Sequence, residues 1–114
     1  MRMITEKAVS NFDMGKNFTR DNTTVCCSRD SEEKMVLLHG NIIFGKQGNQ
    51  YYFCLCGWNT NTTRERLNGF LARFKSGVIQ KNFAPYYVHN GKMVAIDSWK
   101  RYYLDDSGNI INKD

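Results

Sequence analysis

The sequence predicts an α+β domain in which an antiparallel sheet of about five to seven strands packs against one main amphipathic helix, with a short helix at the N-terminus. The stretch Thr60–Phe74 carries apolar residues at helical spacing. The segments on both sides of it are rich in β-branched and aromatic residues and are bounded by turn residues, as strands are. Because 114 residues are enough for one hydrophobic core, we expect a single domain spanning residues 1–114.

The main helix is predicted by its start, its interior and its end. Thr62 and Glu65 fit a capping box, in which two side chains satisfy amides of the first turn. Four large apolar residues recur at i, i+3, i+4 and i+7, which share one stripe of a helix: Leu67, Phe70, Leu71 and Phe74. Gly77 is the predicted helix stop, because glycine tolerates a left-handed backbone. We therefore expect the four apolar side chains to be buried together.

Before the main helix, the pattern predicts a short helix and three strands. The helix covers Thr5–Met14, with Thr5 as its N-cap. The second strand is apolar on both faces, so it is predicted to be central in the sheet and to carry His39 within it as a core residue. Turn residues at 45–50 predict a hairpin between the second and third strands. In chain order the strands are Asn22–Cys27, Met35–Phe44 and Tyr51–Cys56.

After the main helix, the chain is predicted to continue as short strands. Pro85 is expected to interrupt the pairing, since proline has no amide hydrogen. Asn90-Gly91 is the strongest short hairpin signal in the sequence. Asp105-Asp106-Ser107-Gly108 resembles a second hairpin turn. The strand segments are Val78–Phe83, Tyr86–His89, Lys92–Ile96, Trp99–Leu104 and Asn109–Ile111.

The charge of the chain is unevenly distributed. The formal net charge is +5, from 16 basic and 11 acidic residues. The segment from Arg64 to Arg101 carries a charge of +6, whereas the remainder carries −1. A basic second half indicates an anionic partner. A net charge of this size also keeps a small domain soluble without any partner, and the composition leaves both interpretations open.

The flanks of the main helix carry the first candidate binding residues. With the apolar stripe inward, Arg66 and Arg73 are expected on one outer flank and Arg64 and Lys75 on the other. Small residues lie between them, which would let a phosphate backbone come close: Gly69, Ala72 and Ser76. The sequence therefore predicts phosphate contacts by these four cations. The alternative is a solvated helix face with no ligand.

Aromatic residues mixed with cations form the second candidate. Lys100 and Arg101 are predicted to contact phosphates, and Tyr86 or Tyr103 to stack on unpaired bases. Because side chains on strands alternate between two faces, roughly half of the aromatic rings must point into the core. The rings expected to be buried are those of Phe83, Trp99 and one tyrosine of each adjacent pair.

The sequence carries no recognisable catalytic motif, so no enzyme activity, cofactor or metal is expected, and a small nuclease or other hydrolase is the alternative. The four cysteines follow CC and CxC spacing, unlike common zinc sites: Cys26, Cys27, Cys54 and Cys56. Buried thiols are the preferred interpretation, with a cross-strand metal or redox cluster and a disulfide as alternatives. A nucleophile pair of Cys54 or Cys56 with His39 is a further alternative. His89, just before a tight turn, is expected to be exposed.

The cellular location and partners are predicted from what the sequence contains. There is no apolar run long enough to span a bilayer, and the N-terminal residues have no secretory pattern. We therefore expect a cytoplasmic protein that does not bind membranes. Nucleic acid or another protein is the expected partner, and the oligomeric state is left open.

Three runs of residues resemble a group of short proteins encoded by tailed bacteriophages. They read Phe18…Asn22-Thr23-x-Val25, then Leu38-His39-Gly40-Asn41-x-Ile43, and Gly57-Trp58-x-Thr60-x-Thr62-Thr63-x-Glu65-Arg66-Leu67-Asn68. The resemblance covers the chain to about Lys81 and weakens from Pro85 onward. It implies a phage accessory gene expressed inside a bacterium, and it implies no catalytic residue. Handling nucleic acid and blocking a host defence protein by direct contact are two roles common for such genes.

Overall fold

The computed structural model describes residues 2–30 and 32–112. The helices are α1 (Met3–Asp13) and α2 (Asn61–Leu71), and a short 3₁₀ helix at Ala72–Phe74 extends the second. The strands are β1 (Phe18–Arg20), β2 (Thr23–Cys27), β3 (Glu33–Leu38), β4 (Asn41–Gln47), β5 (Gln50–Phe53), β6 (Gly77–Lys81), β7 (Ala84–His89), β8 (Lys92–Ala95) and β9 (Tyr102–Leu104). They form a six-stranded antiparallel sheet in the order β1-β2-β3-β4-β5-β9 and a three-stranded sheet in the order β6-β7-β8. The predicted α+β class is confirmed.

The two helices cover one face of the six-stranded sheet, and the core lies between them. A row of paired residues across five strands faces the helices, and each of its side chains is at most 8% exposed: Val25, Val36, Phe44, Phe53 and Tyr102. Phe12 of α1 and Phe70 of α2 place their ring centroids 5.5 and 5.1 Å from that of Phe44. Ring contacts at these distances stabilise packing beyond the area buried.

The apolar stripe predicted for the main helix is confirmed. Leu67, Phe70 and Leu71 are completely buried. Phe74 packs against the same core, with its ring centroid 5.4 Å from that of Tyr51. The interior of α2 therefore follows directly from its 3.6-residue periodicity.

The predicted ends of this helix are wrong. The N-cap is Thr60, whose hydroxyl accepts a hydrogen bond of 3.1 Å from the Thr63 amide. Glu65 does not close a capping box, because its carboxylate bonds to the Thr5 hydroxyl of α1 instead. At the C-terminus the left-handed residue is Lys75, with φ of 57°, and Gly77 already belongs to β6. The capping box fails because Glu65 has a tertiary partner, Thr5, that local spacing does not show.

The N-terminal helix begins two residues earlier than predicted. Its N-cap is Arg2, and Thr5 lies inside the helix with its side chain fully buried. Ala8 and Phe12 are buried as expected. The chain then enters β1, a three-residue edge strand that was not predicted and that pairs Phe18 with Val25.

The predicted central strand Met35–Phe44 is two strands joined by a tight turn. His39 and Gly40 have φ of 52° and 79°, and they connect β3 to β4. Such a two-residue turn matches the twist of a hairpin. A bulge follows, because the register passes from Leu37 opposite Ile42 to Val36 opposite Phe44. His39 is therefore an exposed turn residue and not the core histidine that was predicted.

The three-stranded sheet contains one turn that was predicted and one that was not. Asn90-Gly91 joins β7 to β8 as predicted. Asn82 and Phe83, with φ of 51° and 66°, join β6 to β7. Pro85 does not interrupt this sheet: it pairs with Gln80, and its carbonyl accepts from the Ile96 amide where β8 ends. Neither helix in the described part of the chain has the length and the apolar composition that a bilayer span requires.

Candidate functional site

The eight residues predicted to bind an anionic partner do not form one surface. Arg64 lies in the first turn of α2, whereas Arg73 and Lys75 lie beyond its end. Arg101 and Tyr103 belong to the face of the six-stranded sheet that points away from the helices, because they contact Tyr52. The prediction that the helix and the strands share a single basic surface is therefore wrong.

Arg66 was predicted on an outer flank of α2, and its guanidinium is instead buried, with the residue 3% exposed. Its Nε donates to the Thr23 hydroxyl at 2.9 Å, and one Nη donates to the Thr5 hydroxyl at 3.1 Å. Glu65 provides the opposite charge. These contacts hold the guanidinium inside the molecule, so Arg66 is not a surface group placed to bind a phosphate.

Arg73 is also used within the fold. Its Nη2 lies 2.9 Å from a carboxylate oxygen of Asp13, and its Nε donates to the Phe70 carbonyl. Two lysines lie near it on the sheet: Lys34 is 5.2 Å from the centroid of the Phe12 ring and pairs across the strands with Lys46. Among the described residues neither lysine forms an ion pair. The sequence analysis did not name these lysines as candidates. The bulge in β4 sets the register that places Lys34 opposite Lys46, and a bulge is not visible in the sequence pattern.

Arg64 is held by neutral groups at the start of α2. Its guanidinium donates to the Asn59 carbonyl and to the Gln80 side chain, each at 3.0 Å, and also to the Asn61 side chain. These contacts tie α2 to β6. Lys75 is exposed, and it occupies the left-handed position that ends the 3₁₀ helix.

The face of the six-stranded sheet that points away from the helices is covered by no described helix or strand. We call it the open face, and its central row of paired residues is Cys26, Met35, Gly45, Tyr52 and Tyr103. A Cβ at Gly45 would lie 2.2 Å from the Tyr52 hydroxyl oxygen, so the Tyr52 ring lies across the glycine. This arrangement buries Tyr52 to 2% exposure on an otherwise open surface.

Arg101 lies on top of Tyr52 on the open face. Its guanidinium carbon is 4.2 Å from the Tyr52 ring centroid, which is a close cation–π contact. Burial raises the pKa of Tyr52, and the nearby Arg101 charge only partly opposes this, so the phenol is neutral at pH 7. Within the described residues, the Arg101 guanidinium has no ion pair and donates no hydrogen bond. Its N–H donors therefore have no protein acceptor among the described residues.

Both tryptophans of the chain are exposed near the end of β5. Trp99 was predicted to be buried, and it is 77% exposed; Trp58 is 58% exposed. The Trp99 ring packs over Gly57, where a Cβ would lie 2.4 Å from it. Trp58 also lines an apolar cavity of about 500 Å³ beside the start of α2. Gly57 was the one sign of this arrangement in the sequence, because a glycine leaves room for an aromatic ring to pack over the backbone.

The three-stranded sheet presents an apolar outer face. Tyr86 pairs with Ile79 and Ala95, and the neighbouring row pairs Val88 with Met93, so these side chains share one side. Ile79 and Met93 are 41% and 45% exposed. Phe83, predicted to be buried, is 91% exposed at the turn between β6 and β7. Its exposure follows from the left-handed turn, which directs the ring away from the sheet.

His89 was predicted to be exposed, and it is buried on the inner face of the same sheet, at 8% exposure. Its Nδ1 forms a hydrogen bond with the Ser76 hydroxyl, and its ring stacks on that of Tyr87 with centroids 6.0 Å apart. Lys100 lies nearby, with its ammonium 5.6 Å from the Tyr102 ring centroid. Both residues line a cavity between this sheet and the C-terminal segment.

The cysteines are present as thiols, and no group of three metal-ligating side chains gathers in the described part of the chain. The Cys56 thiol donates to the Ile42 carbonyl at 3.1 Å. Burial, reinforced by the neighbouring Cys54, raises the pKa of Cys56 to about 12. A thiol with this pKa is protonated at neutral pH and is a poor nucleophile.

A family model described as Kyanoviridae Gp96 protein matches residues 1–110. This is a family of phage proteins, so the resemblance to bacteriophage proteins is confirmed. The match continues beyond Lys81, where the resemblance was expected to weaken. No curated protein and no solved structure matches the chain.

Proposed function

We propose that this chain, which belongs to the Kyanoviridae Gp96 protein family, binds single-stranded nucleic acid across the open face. The observation that carries the proposal is the Arg101 guanidinium, held 4.2 Å above the Tyr52 ring with no acidic partner among the described residues. An arginine that is already stacked loses little side-chain entropy when its donors bind a phosphate. The protein is thus a phage accessory protein with a binding role, and we expect no catalysis by it.

The aromatic residues around Arg101 supply the rest of the binding energy. Tyr103 is half-buried beside Tyr52, with ring centroids 5.8 Å apart, and Trp99 is mostly exposed two residues before Arg101. Stacking of one base on an aromatic side chain contributes roughly 1–3 kcal/mol and tolerates any base. Bases in a duplex are already stacked on each other, so the open face favours a single strand.

The test is fluorescence anisotropy with a labelled single-stranded oligonucleotide of about ten nucleotides, a length within the range of small single-strand sites. We expect saturable binding, and quenching of tryptophan fluorescence, because the exposed Trp99 lies two residues from Arg101. Arg101→Ala and Trp99→Ala should each weaken binding roughly tenfold. The matching duplex should bind more weakly than the single strand.

The control is Arg20→Ala, which removes an exposed arginine from the edge strand β1 at the opposite end of the sheet. It should leave the affinity unchanged. A dissociation constant above about 1 mM at low salt, or equal losses for Arg20→Ala and Arg101→Ala, would rule out the open face as the binding site.

A second candidate function is contact with a bacterial host protein, as an inhibitor of a defence system. The apolar outer face of the three-stranded sheet favours it, since an exposed apolar patch on a small domain is typical of a protein interface. Phe83 adds a mostly exposed ring at the turn of this sheet, and all four residues of the edge strand β8 are exposed. An edge strand of this kind is able to pair with a strand of another protein.

This second candidate is tested by affinity capture from a host lysate after nuclease treatment. A partner that contacts this sheet should be captured by the native protein and by Arg101→Ala, and it should be lost with Ile79→Glu and Phe83→Ser. Loss of all captured protein on nuclease treatment would instead show that the contacts are made through nucleic acid.

A further inference from the structure

The cavity beside the start of α2 has the properties of a ligand site separate from the open face. Its volume is about 500 Å³, within the range of pockets for small molecules. Leu38 lines it and follows the helix-facing Val36 by two residues, so the cavity lies on the helix side of the sheet. The runs Leu38–Ile43 and Gly57–Asn68, which carry the phage resemblance, supply every described lining residue except Leu55. Segments that are distant in the chain therefore build one site.

The apolar part of the lining favours a ligand with a flat body. Leu38, Ile43 and Leu55 each have at most 4% of their surface exposed, and they belong to the hydrophobic core. Trp58 lines the same cavity and is 58% exposed. An aromatic ring that stays this exposed beside an apolar cavity offers a stacking surface to a second planar group.

Three accessible polar side chains line the cavity and have no partner in the protein. His39 lies in the turn before β4, Asn41 begins β4, and Thr62 lies in the first turn of α2. None of the three is buried, and none of their side chains forms a hydrogen bond within the described residues. The hydroxyls of Thr60 and Thr63, by contrast, bond to each other. Free donors and acceptors around an apolar cavity are the groups that orient a bound ligand.

The lining favours a ligand without charge. No lysine, arginine or carboxylate is found among the described residues that line the cavity. Arg64, two residues after Thr62, is held by the Asn59 carbonyl and the Gln80 side chain. A charged group that entered this cavity would lose hydration without gaining an opposite charge. The ligand that complements the lining is therefore planar, uncharged and polar at its edge.

We propose that this cavity binds one nucleobase, stacked on Trp58 and hydrogen-bonded at its edge by Asn41. Proteins that read unpaired bases combine an aromatic stacking surface with hydrogen bonds to the base edge. A side-chain amide presents a donor and an acceptor side by side, and adenine matches both through its N7 atom and its amino group. Adenine is therefore the base that should bind most tightly. Thr62 and His39 remain available for its other polar atoms or for the attached sugar.

Isothermal titration with three probes tests the proposal: adenosine, purine riboside and ribose. Purine riboside is adenosine without the amino group, so it keeps the stacking surface and loses one of the two hydrogen bonds to Asn41. We expect adenosine to bind saturably, purine riboside to bind about fivefold more weakly, and ribose not to bind. Trp58→Ala and Asn41→Ala should each weaken adenosine binding roughly tenfold.

Two control variants separate this site from the rest of the surface. Asn49→Ala removes an exposed asparagine from the turn between β4 and β5, and Arg101→Ala changes the open face. Both should leave the adenosine affinity unchanged, so that a failure of the nucleic-acid proposal leaves this one standing. The proposal is overturned if adenosine does not bind saturably or if Trp58→Ala binds it as tightly as the wild type. Equal affinity for adenosine and purine riboside would overturn the choice of adenine.

A nucleobase reaches this cavity either as a free nucleoside or as one unstacked base of a bound strand. Excess adenosine added to the complex with the labelled oligonucleotide distinguishes the two sources. Release of the oligonucleotide, together with weaker oligonucleotide binding by Trp58→Ala, would show that the base belongs to the strand. Unchanged anisotropy in the presence of saturating adenosine would show that the ligand is a free nucleoside. Both results support a base site in this cavity.

Discussion

The guanidinium of Arg66 joins three elements, because it lies on α2 and bonds to Thr5 of α1 and Thr23 of β2. Both hydroxyls are fully buried, and Glu65 neutralises the charge. A buried ion pair of this kind gives little net stability, but removal of one partner leaves the other groups unsatisfied. Arg66 therefore stabilises the fold, although its spacing in the sequence had predicted a phosphate contact.

We expect Arg66→Ala to lower the free energy of unfolding by roughly 2–4 kcal/mol, because it leaves two buried hydroxyls and a carboxylate without their donor. Urea denaturation measures the change, with Arg20→Ala as an exposed control that should stay within about 0.5 kcal/mol. Unchanged stability combined with weaker oligonucleotide binding would show that Arg66 is a surface residue that binds the ligand.

Glu65 makes stability depend on pH. Partial burial alone would raise the pKa of Glu65, but hydrogen bonds from Thr5, the Arg2 amide and Arg66 outweigh it and lower the pKa. A carboxyl with a lowered folded-state pKa stabilises the fold above its unfolded pKa of about 4.3, and this contribution is lost as the pH falls through the folded value.

Acid titration of stability tests this contribution. Between pH 7 and 5 the wild type should keep it, and Glu65→Gln should be less stable than the wild type. The difference between the two proteins should shrink as the pH falls below about 4. Glu6→Gln, which changes an exposed residue of α1, should follow the wild-type curve. A constant difference at all pH values would show that the Glu65 charge is unimportant.

At the scale of elements, the turn at His39-Gly40 decides how the first half of the chain folds. It divides the apolar stretch Met35–Phe44 into two neighbouring strands and exposes His39. Gly40 has φ of 79°, and a Cβ added there would have no other atom within 4 Å, so a substitution meets backbone strain and no steric clash.

Gly40→Ala should therefore destabilise the protein by about 1–2 kcal/mol. His39→Asn should be neutral or stabilise it by a few tenths of a kcal/mol, because asparagine is favoured before glycine in such turns. Thermal unfolding measures both variants. A large loss of stability in His39→Asn would indicate a buried histidine and a continuous strand.

At the scale of the whole molecule, the cations are divided between several surfaces, so nucleic-acid binding should depend weakly on salt. For single strands the slope of log affinity against log salt is about −0.7 for each phosphate contact. Arg101 alone predicts a slope of about −0.7, whereas the six cations of a single surface would give about −4. Anisotropy titrations between low and moderate salt distinguish these values, and a slope near −4 would contradict the proposed open-face site.

Local patterns were sufficient for the features that depend on neighbours in the sequence. The stripe from Leu67 to Phe74, the α+β class and the turn at Asn90-Gly91 were all predictable, because helical periodicity and turn chemistry act over a few residues. In each adjacent tyrosine pair one ring is buried and one is half-exposed, as strand alternation requires: Tyr87 with Tyr86, and Tyr102 with Tyr103.

Only the tertiary structure decided which polar groups are available for binding. Arg66 is turned inward by hydroxyls that lie 43 and 61 residues away in the chain, and His89 is enclosed beside Ser76. Arg101 keeps its donors because its neighbour on the open face is the Tyr52 ring. The physical reason is that a charged side chain can be buried only where the fold supplies hydrogen-bond acceptors and opposite charge. These partners are distant in the sequence, so local patterns do not show them.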